Sequence, residues 1–188
     1  MKRIAFNDKY NLTALVLNGQ ITQFMRIVDI NSEKMQKFKL YYYENTLDTL
    51  DGIELAVAYF INNTLQLPFH SKDEAVILVP YSKYYTEETF GNTKGWNNKM
   101  CVMPCFMQDK IYIDGFKIKY IKDLTEEDYL KQGIVKSKIS ESTYYTPTNP
   151  SAKYETAKDA FNDFVNKVYG RKALDDNTIV IVYDFELG

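Results

Sequence analysis

Cysteine and histidine are almost absent from this chain of 188 residues, which contains two cysteines and one histidine. A zinc site needs three or four ligands, and a disulfide scaffold needs more than one pair of cysteines. Cys101, Cys105 and His70 supply neither set, so we expect no metal. We interpret both cysteines as small core residues of a protein in a reducing cytoplasm.

Long apolar runs and an excess of positive charge are also missing. No run approaches the roughly 20 apolar residues that cross a bilayer, and the first ten residues, MKRIAFNDKY, lack the apolar segment of a signal peptide. The formal net charge of −2 argues against a strong sequence-independent attraction to nucleic acid. We therefore expect a cytoplasmic protein without a membrane partner, and we expect no cofactor.

Aromatic residues are abundant: the chain has 16 tyrosines and 11 phenylalanines. Aromatic side chains favour strands and half-buried surfaces, so this bias indicates β structure. The length fits a single domain over residues 1–188. The order of the predicted elements contains no regular βαβ units, which favours an α+β fold with a mostly antiparallel sheet or barrel.

Helical spacing and capping residues predict four helices. They lie at 7–19, 46–66, 124–133 and 156–170. The third has the clearest signal, since Thr125 can accept from the backbone of Asp128 in a variant capping box. Gly19 is placed to end the first helix in a left-handed conformation.

Apolar or alternating runs predict strands. They lie at 21–28, 36–44, 75–79, 99–107, 110–113, 115–122 and 178–187. Pro104 interrupts the fourth of these strands. Residues 137–155 are rich in serine, threonine and proline, which predicts a loop.

The block GWNNKMCVMPCFMQDKIYIDGFKIKYIKDLTEEDYLKQGI, residues 95–134, resembles ASCH-like proteins common in phages and prophages. Residues 154–187 follow the last helix and strand of that family, and residues 4–28 follow its first helix and glycine turn more loosely. Residues 31–70 match poorly and read as an inserted or divergent segment. The resemblance implies a PUA-like fold, a small mixed β-barrel with helices around an open cleft.

The same resemblance implies a class of function. PUA-like and ASCH domains bind RNA or modified nucleotides, and some small bacterial members hydrolyse acetylated cytidine. The family's turn has the pattern Gly-x-Lys-Thr-x-Thr-Arg-Arg. Here Gly19 and Thr22 hold the glycine and threonine, Ile21 replaces the lysine, Met25 replaces one arginine, and Arg26 keeps the other. Isoleucine cannot carry charge or move a proton, so we expect a protein without this catalysis.

The polar and aromatic residues of the turn and of the segment after Gly95 are the candidate binding residues. A tryptophan can stack on a base, asparagine amides can read base edges, and cations can meet phosphate. The alternative is that the tryptophan fills the rim of the core and the polar residues face solvent. The predicted site comprises Thr22, Arg26, Trp96, Asn97, Asn98 and Lys99.

Three functions remain open from the sequence. The first is a non-catalytic PUA-like module that binds single-stranded RNA or a modified nucleotide. The second is an amidohydrolase acting on acetylated cytidine, which needs another acid and base to reach the cleft. The third is a protein-interaction module of phage origin that uses residues 31–70.

Replacement of Trp96 by alanine tests the stacking role. If Trp96 stacks on a base, Trp96→Ala weakens binding of single-stranded RNA at low salt by about 1–3 kcal/mol, the usual contribution of one stacked base. Fluorescence titration of a labelled oligonucleotide measures this difference. Equal affinities for the two proteins, or no affinity for either, would reject the role.

Overall fold

The computed structural model describes residues 2–28, 72–140, 142–170 and 178–188. These ranges contain the strands β1 (Lys2–Ile4), β2 (Gln23–Ile27), β3 (Glu74–Ile77), β4 (Lys110–Tyr120), β5 (Val135–Lys136), β6 (Tyr144–Thr146), β7 (Asn149–Tyr154) and β8 (Ile179–Leu187). The helices are α1 (Leu12–Leu17), α2 (Glu87–Phe90), α3 (Glu126–Lys131) and α4 (Ala157–Tyr169). The strand predicted at 36–44, the helix predicted at 46–66 and the divergent segment at 31–70 lie outside the described residues.

Five strands form the main sheet, in the order β1-β3-β4-β8-β2. Only the pairing of β1 with β3 is parallel; the other three pairings are antiparallel. The predicted α+β fold with a mostly antiparallel sheet is therefore confirmed. The barrel is not, because β1 and β2 are the two edges of the sheet in the described part of the chain.

The strands β4 and β8 form the centre of the sheet. Their register runs from Ile111 opposite Leu187 to Tyr120 opposite Ile179, with a bulge between Ile113 and Gly115. A bulge of this kind bends its strand and increases the local twist. The centre is therefore long enough, and bent enough, for the sheet to curl.

The curl brings the two edges of the sheet towards each other. Phe6, just beyond β1, makes an edge contact with Phe24 of β2, with 6.2 Å between the ring centres. The rings of Phe6 and Phe185 of β8 are also 6.2 Å apart. An aromatic cluster thus spans the gap between strands that occupy opposite ends of the sheet order.

The helix α3 begins as the sequence predicts. The Thr125 hydroxyl accepts from the backbone of Asp128, and the Asp128 carboxylate accepts from the backbone of Thr125, which completes the capping box. The predicted first and last helices are confirmed as α1 and α4. Gly19 and Gly170 come after these helices with φ of +68° and +65°, which is the left-handed conformation typical of a glycine at a helix end.

Two predictions on local structure are wrong. The strand at 99–107 is replaced by two single turns of 3₁₀ helix, Lys99–Cys101 and Pro104–Phe106, because Pro104 fixes a turn and cannot donate to a ladder. The loop at 137–155 contains β6 and β7, which pair with β5 in a second sheet. Cys101 and Cys105 are exposed rather than in the core.

None of the helices in the described ranges is both long enough and apolar enough to cross a membrane. The longest, α4, buries one stripe and exposes the other, as expected of a helix packed on one side of a domain. Its buried residues are Ala157, Ala160, Phe161, Phe164 and Val165.

Alanine at Gly133 tests the packing between α3 and the second sheet. Gly133 has a φ of +97°, and an added Cβ would lie 3.0 Å from Ile21 Cγ1 and 3.3 Å from Pro147 Cγ. Gly19 also has a positive φ, but an added Cβ there meets no atom within 4 Å. We expect Gly19→Ala to lower the free energy of unfolding by about 1–2 kcal/mol, and Gly133→Ala by about 1–3 kcal/mol more.

Urea unfolding of the two variants measures this difference. Equal losses would show that Gly133 is required only for its backbone conformation and that the contact with Ile21 does not constrain the packing.

Candidate functional site

A cavity of about 520 Å³ lies along β2, an edge strand in the described part of the chain, in the gap that the curled sheet leaves between its edges. Most of its wall is apolar, and five polar side chains interrupt that wall. The apolar part comprises Ile4, Ala5, Phe6, Leu12, Ile21, Phe24, Met25, Ile27, Phe164 and Val168. The polar side chains are Asn7, Gln23, Arg26, Gln132 and Tyr169.

The register of β2 shows which of its backbone groups pair with β8 and which do not. The backbone of Thr22 accepts from Phe185, and Val28 donates to Ile179, so every second residue from Thr22 to Val28 pairs with β8. The backbone groups of Gln23, Met25 and Ile27 therefore point away from β8 and towards the cavity. The Tyr169 hydroxyl, at the end of α4, donates to the Met25 carbonyl at 2.8 Å.

Arg26 supplies the positive charge of the cavity. Its guanidinium is close enough to Tyr169 and Tyr183 to favour the ionised form of both phenols. Burial is the larger effect on each hydroxyl and raises the pKa of Tyr169 and of Tyr183 to about 12. Both tyrosines therefore remain neutral near pH 7, and Arg26 lies at an exposed position on the rim.

A buried hydrogen-bond network lies behind the polar part of the cavity wall. Gln23 Nε2 donates to Asp128 Oδ1 at 3.3 Å and to Asp184 Oδ1 at 3.0 Å. Gln132 Nε2 donates to Gln23 Oε1 at 3.0 Å. Gln23, Gln132 and Asp128 are 2%, 3% and 7% exposed, so these bonds replace contacts with water. The network joins β2, β8 and α3.

Lysines neutralise the two carboxylates. Lys119 Nζ lies 2.7 Å from Asp128 Oδ2, and Lys117 and Lys131 each lie 3.9 Å from an oxygen of Asp184. Burial disfavours the charge on Asp128, but bonds from Lys119, Thr125 and Gln23 outweigh burial and hold the pKa of Asp128 below its usual range. Asp128 therefore accepts hydrogen bonds as a carboxylate at neutral pH, and Asp184 accepts from Gln23 with two lysines beside it.

The structure brings one predicted site residue to the cavity and leaves the others outside its lining. Arg26 lines the cavity. Thr22 lies one residue beyond β2, where its backbone donates to Lys131 and accepts from Phe185. Asn98 accepts from the backbone of Met100, and Asn97 is exposed.

Trp96 and Lys99 are held by other parts of the protein. Trp96 packs partly buried against the core, and its carbonyl accepts from the backbone of Ser82. The Lys99 ammonium lies 2.8 Å from Asp8 Oδ2 and donates to the Phe6 carbonyl. Because Phe6 lines the cavity, Lys99 supports that wall from behind.

Sequence reasoning missed Gln23, Gln132 and Tyr169. A signal for Gln23 was present, since Ile21, Gln23 and Met25 alternate at inward positions and a polar residue among them needs a buried partner. Gln132 and Tyr169 each follow or end a helix without any distinguishing local pattern. Their role depends on contacts between segments that are far apart in the chain.

Comparison with known proteins gives little. No family model matches the chain, and no curated protein matches it. Among solved structures, protein EF3133 from Enterococcus faecalis V583, described as DUF984, is similar at 11% identity and a TM-score of 0.46. That similarity covers 100% of this chain and 80% of the other.

The described lining favours binding by shape, amide hydrogen bonds and one cation. Ile21 is 4% exposed and lies in the cavity wall. The described lining contains no lysine, aspartate or glutamate. Asp128 and Asp184 are not among the lining residues; they bind the side chain of Gln23, which is.

The low pKa of Asp128 predicts how stability depends on pH. A carboxyl whose pKa is lower in the folded than in the unfolded protein stabilises the fold above its unfolded pKa. That contribution is lost as the pH falls below about 4, towards the folded pKa. We expect the wild-type free energy of unfolding to fall steeply in this range, and that of Asp128→Asn to fall less.

Asp159→Asn is the matched control. Asp159 lies three residues after the capping residue Thr156, as Asp128 does after Thr125. Its carboxylate accepts a hydrogen bond from the Thr156 hydroxyl at 2.7 Å, but it is exposed and outside the Gln23 network. Urea unfolding between pH 2 and pH 7 measures all three proteins. Identical pH profiles for the two variants would mean that capping alone accounts for the effect of Asp128.

Proposed function

We propose that the cavity along β2 binds a nucleotide, either free or as a residue of single-stranded RNA, without chemical change to it. One observation carries the proposal: an apolar cleft of about 520 Å³ contains aromatic rings, a fixed amide and one arginine at its rim. Sites for small ligands have volumes of about 300–1,000 Å³ and combine apolar walls with a few placed polar groups.

Each part of a nucleotide has a counterpart in the lining. The base packs against Phe6 and Phe24, whose rings contact each other across the gap between the sheet edges. The Gln132 amide meets polar atoms at the edge of the base. Arg26 binds the phosphate at the exposed rim, where a guanidinium donates to phosphate oxygens with little desolvation.

We further infer that the fold is a PUA-like barrel that is open at this gap. The curled sheet and the approach of Phe6 to Phe24 and Phe185 support this inference, as does the resemblance of residues 95–134 to ASCH-like proteins. In this arrangement the cleft between the two edge strands is the ligand site. Trp96, Asn97, Asn98 and Lys99 then contact a neighbouring nucleotide, and the RNA titration of Trp96→Ala tests them separately.

Replacement of Arg26 by glutamine tests the orientation of the ligand. Loss of a charge-assisted hydrogen bond costs about 1.5–3 kcal/mol, so we expect Arg26→Gln to bind nucleoside 5′-monophosphates roughly tenfold to a hundredfold more weakly. Affinity for the corresponding nucleosides should not change, because they lack the phosphate. Calorimetric titration at low salt measures both series.

Arg3→Gln is the matched control, since Arg3 is an exposed arginine of β1 outside the cavity lining. Its affinities should equal those of the wild type. Equal losses for the two variants would mean that the effect comes from net charge. Failure of the wild type to bind any of the four monophosphates or an RNA oligonucleotide at millimolar concentration would overturn the proposal.

A further inference from the structure

The hydrogen-bond polarity of the Gln132 amide is fixed by the two aspartates behind the cavity. An ionised carboxylate only accepts hydrogen bonds, so the group of Gln23 that faces Asp128 and Asp184 must be its NH₂. The two distances, 3.3 Å and 3.0 Å from Gln23 Nε2, use both of its hydrogens. Rotation of the amide by 180° would place its oxygen against two negative charges.

The same constraint passes from Gln23 to Gln132. Because the NH₂ group of Gln23 faces the carboxylates, Gln23 Oε1 faces Gln132. An amide oxygen can only accept, and it accepts from Gln132 Nε2 at 3.0 Å. The nitrogen of Gln132 must therefore face Gln23. Its carbonyl oxygen is then turned away from Gln23 and is held in that direction.

We call the chain of hydrogen bonds from Asp128 and Asp184 through Gln23 to Gln132 the relay. Within it, Gln132 is the residue that can still bind a ligand in the cavity. Gln132 Oε1 has no hydrogen-bond donor among the described residues. Gln132 lines a pocket whose surroundings are largely apolar, and its carbonyl oxygen keeps two lone pairs for a ligand there. A ligand that places an apolar atom there leaves this oxygen unpaired, which costs more than a bond gained at the surface.

We infer that Gln132 is a specificity-determining residue that accepts a hydrogen bond from an N–H group of the ligand, and that Gln23, Asp128 and Asp184 are positioning residues that prevent the opposite polarity. The inference rests on the proposed function, since it concerns the base of a nucleotide in this cavity. It names the class of ligand: a base with a lactam N–H, as in uracil, hypoxanthine or guanine. A base with only an acceptor at that position leaves the Gln132 oxygen unpaired and binds more weakly.

Uridine 5′-monophosphate and its N3-methyl analogue form the primary test. We expect the wild type to bind the unmodified compound at least tenfold more tightly, because methylation removes the donor. Gln132→Met keeps a similar volume and removes the oxygen, so it should bind both compounds with nearly equal affinity. Thermal unfolding of each variant confirms that it is folded.

The carboxylates are tested singly and together. One carboxylate is enough to exclude the Gln23 oxygen, so Asp128→Asn and Asp184→Asn should each keep most of the preference for the N–H compound. In the double variant, Gln23 faces two neutral amides, so the amides of Gln23 and Gln132 can both rotate by 180°. The ratio of the affinities for the two compounds should therefore fall towards one. A merely structural role would weaken both ligands equally and leave their ratio unchanged.

Side-chain amide signals in ¹⁵N–¹H NMR spectra of the ligand-free protein test the relay without any nucleotide. We expect the Gln23 NH₂ hydrogens to exchange slowly in the wild type and in Gln132→Met, and to exchange faster in the double aspartate variant. Rapid exchange in the wild type would overturn the relay.

The possible failures are distinguishable. If the wild type binds nucleotides but Gln132→Met keeps the preference for the N–H compound, the assignment of Gln132 is wrong and the proposed function stands. If the wild type binds no nucleotide, the proposed function fails and this inference fails with it.

Discussion

The carboxamide of Gln23 is the interaction on which the described structure depends most. It lies in the interior, 2% exposed, and it hydrogen-bonds to side chains of α3, of β8 and of the residue that follows α3. A buried amide without partners is costly, so the edge strand β2, the central strand β8 and α3 must all take one relative position to satisfy it. Lys117 and Lys119 on β4 pair with Asp184 and Asp128, the two carboxylates that accept from the Gln23 amide.

The cavity follows from the same constraint. Because β8 lies between β4 and β2, one edge of β2 is paired and the other faces the end of β1 across the curl of the sheet. The Tyr169 hydroxyl satisfies one outward carbonyl of that edge. The network fixes the polar end of the gap and the aromatic cluster fixes its apolar wall. The proposed nucleotide site thus combines two features that the fold already requires.

Local signals in the sequence predicted α1, α3 and α4, but they missed α2, the two 3₁₀ turns after Asn98 and the second sheet. The capping box at Thr125 and the glycine at 19 act within a few residues, so a single segment reveals them. The hairpin of β6 and β7 was missed because its serine- and threonine-rich composition is that of a loop, and its pairing depends on packing against α4. Arg26 was found from the resemblance, whereas Gln132 acquires its role only through Gln23, more than a hundred residues away.

Asp128 has two tasks at once, because its carboxylate closes the cap of α3 and also orients Gln23. Asparagine at this position removes one of the two carboxylates that face the Gln23 amide and changes the cap of α3 at the same time. A substitution at position 128 therefore acts on the start of α3 and on the Gln23 network together. A designer who wishes to reverse the orientation of the Gln23 amide must rebuild the start of that helix in the same step.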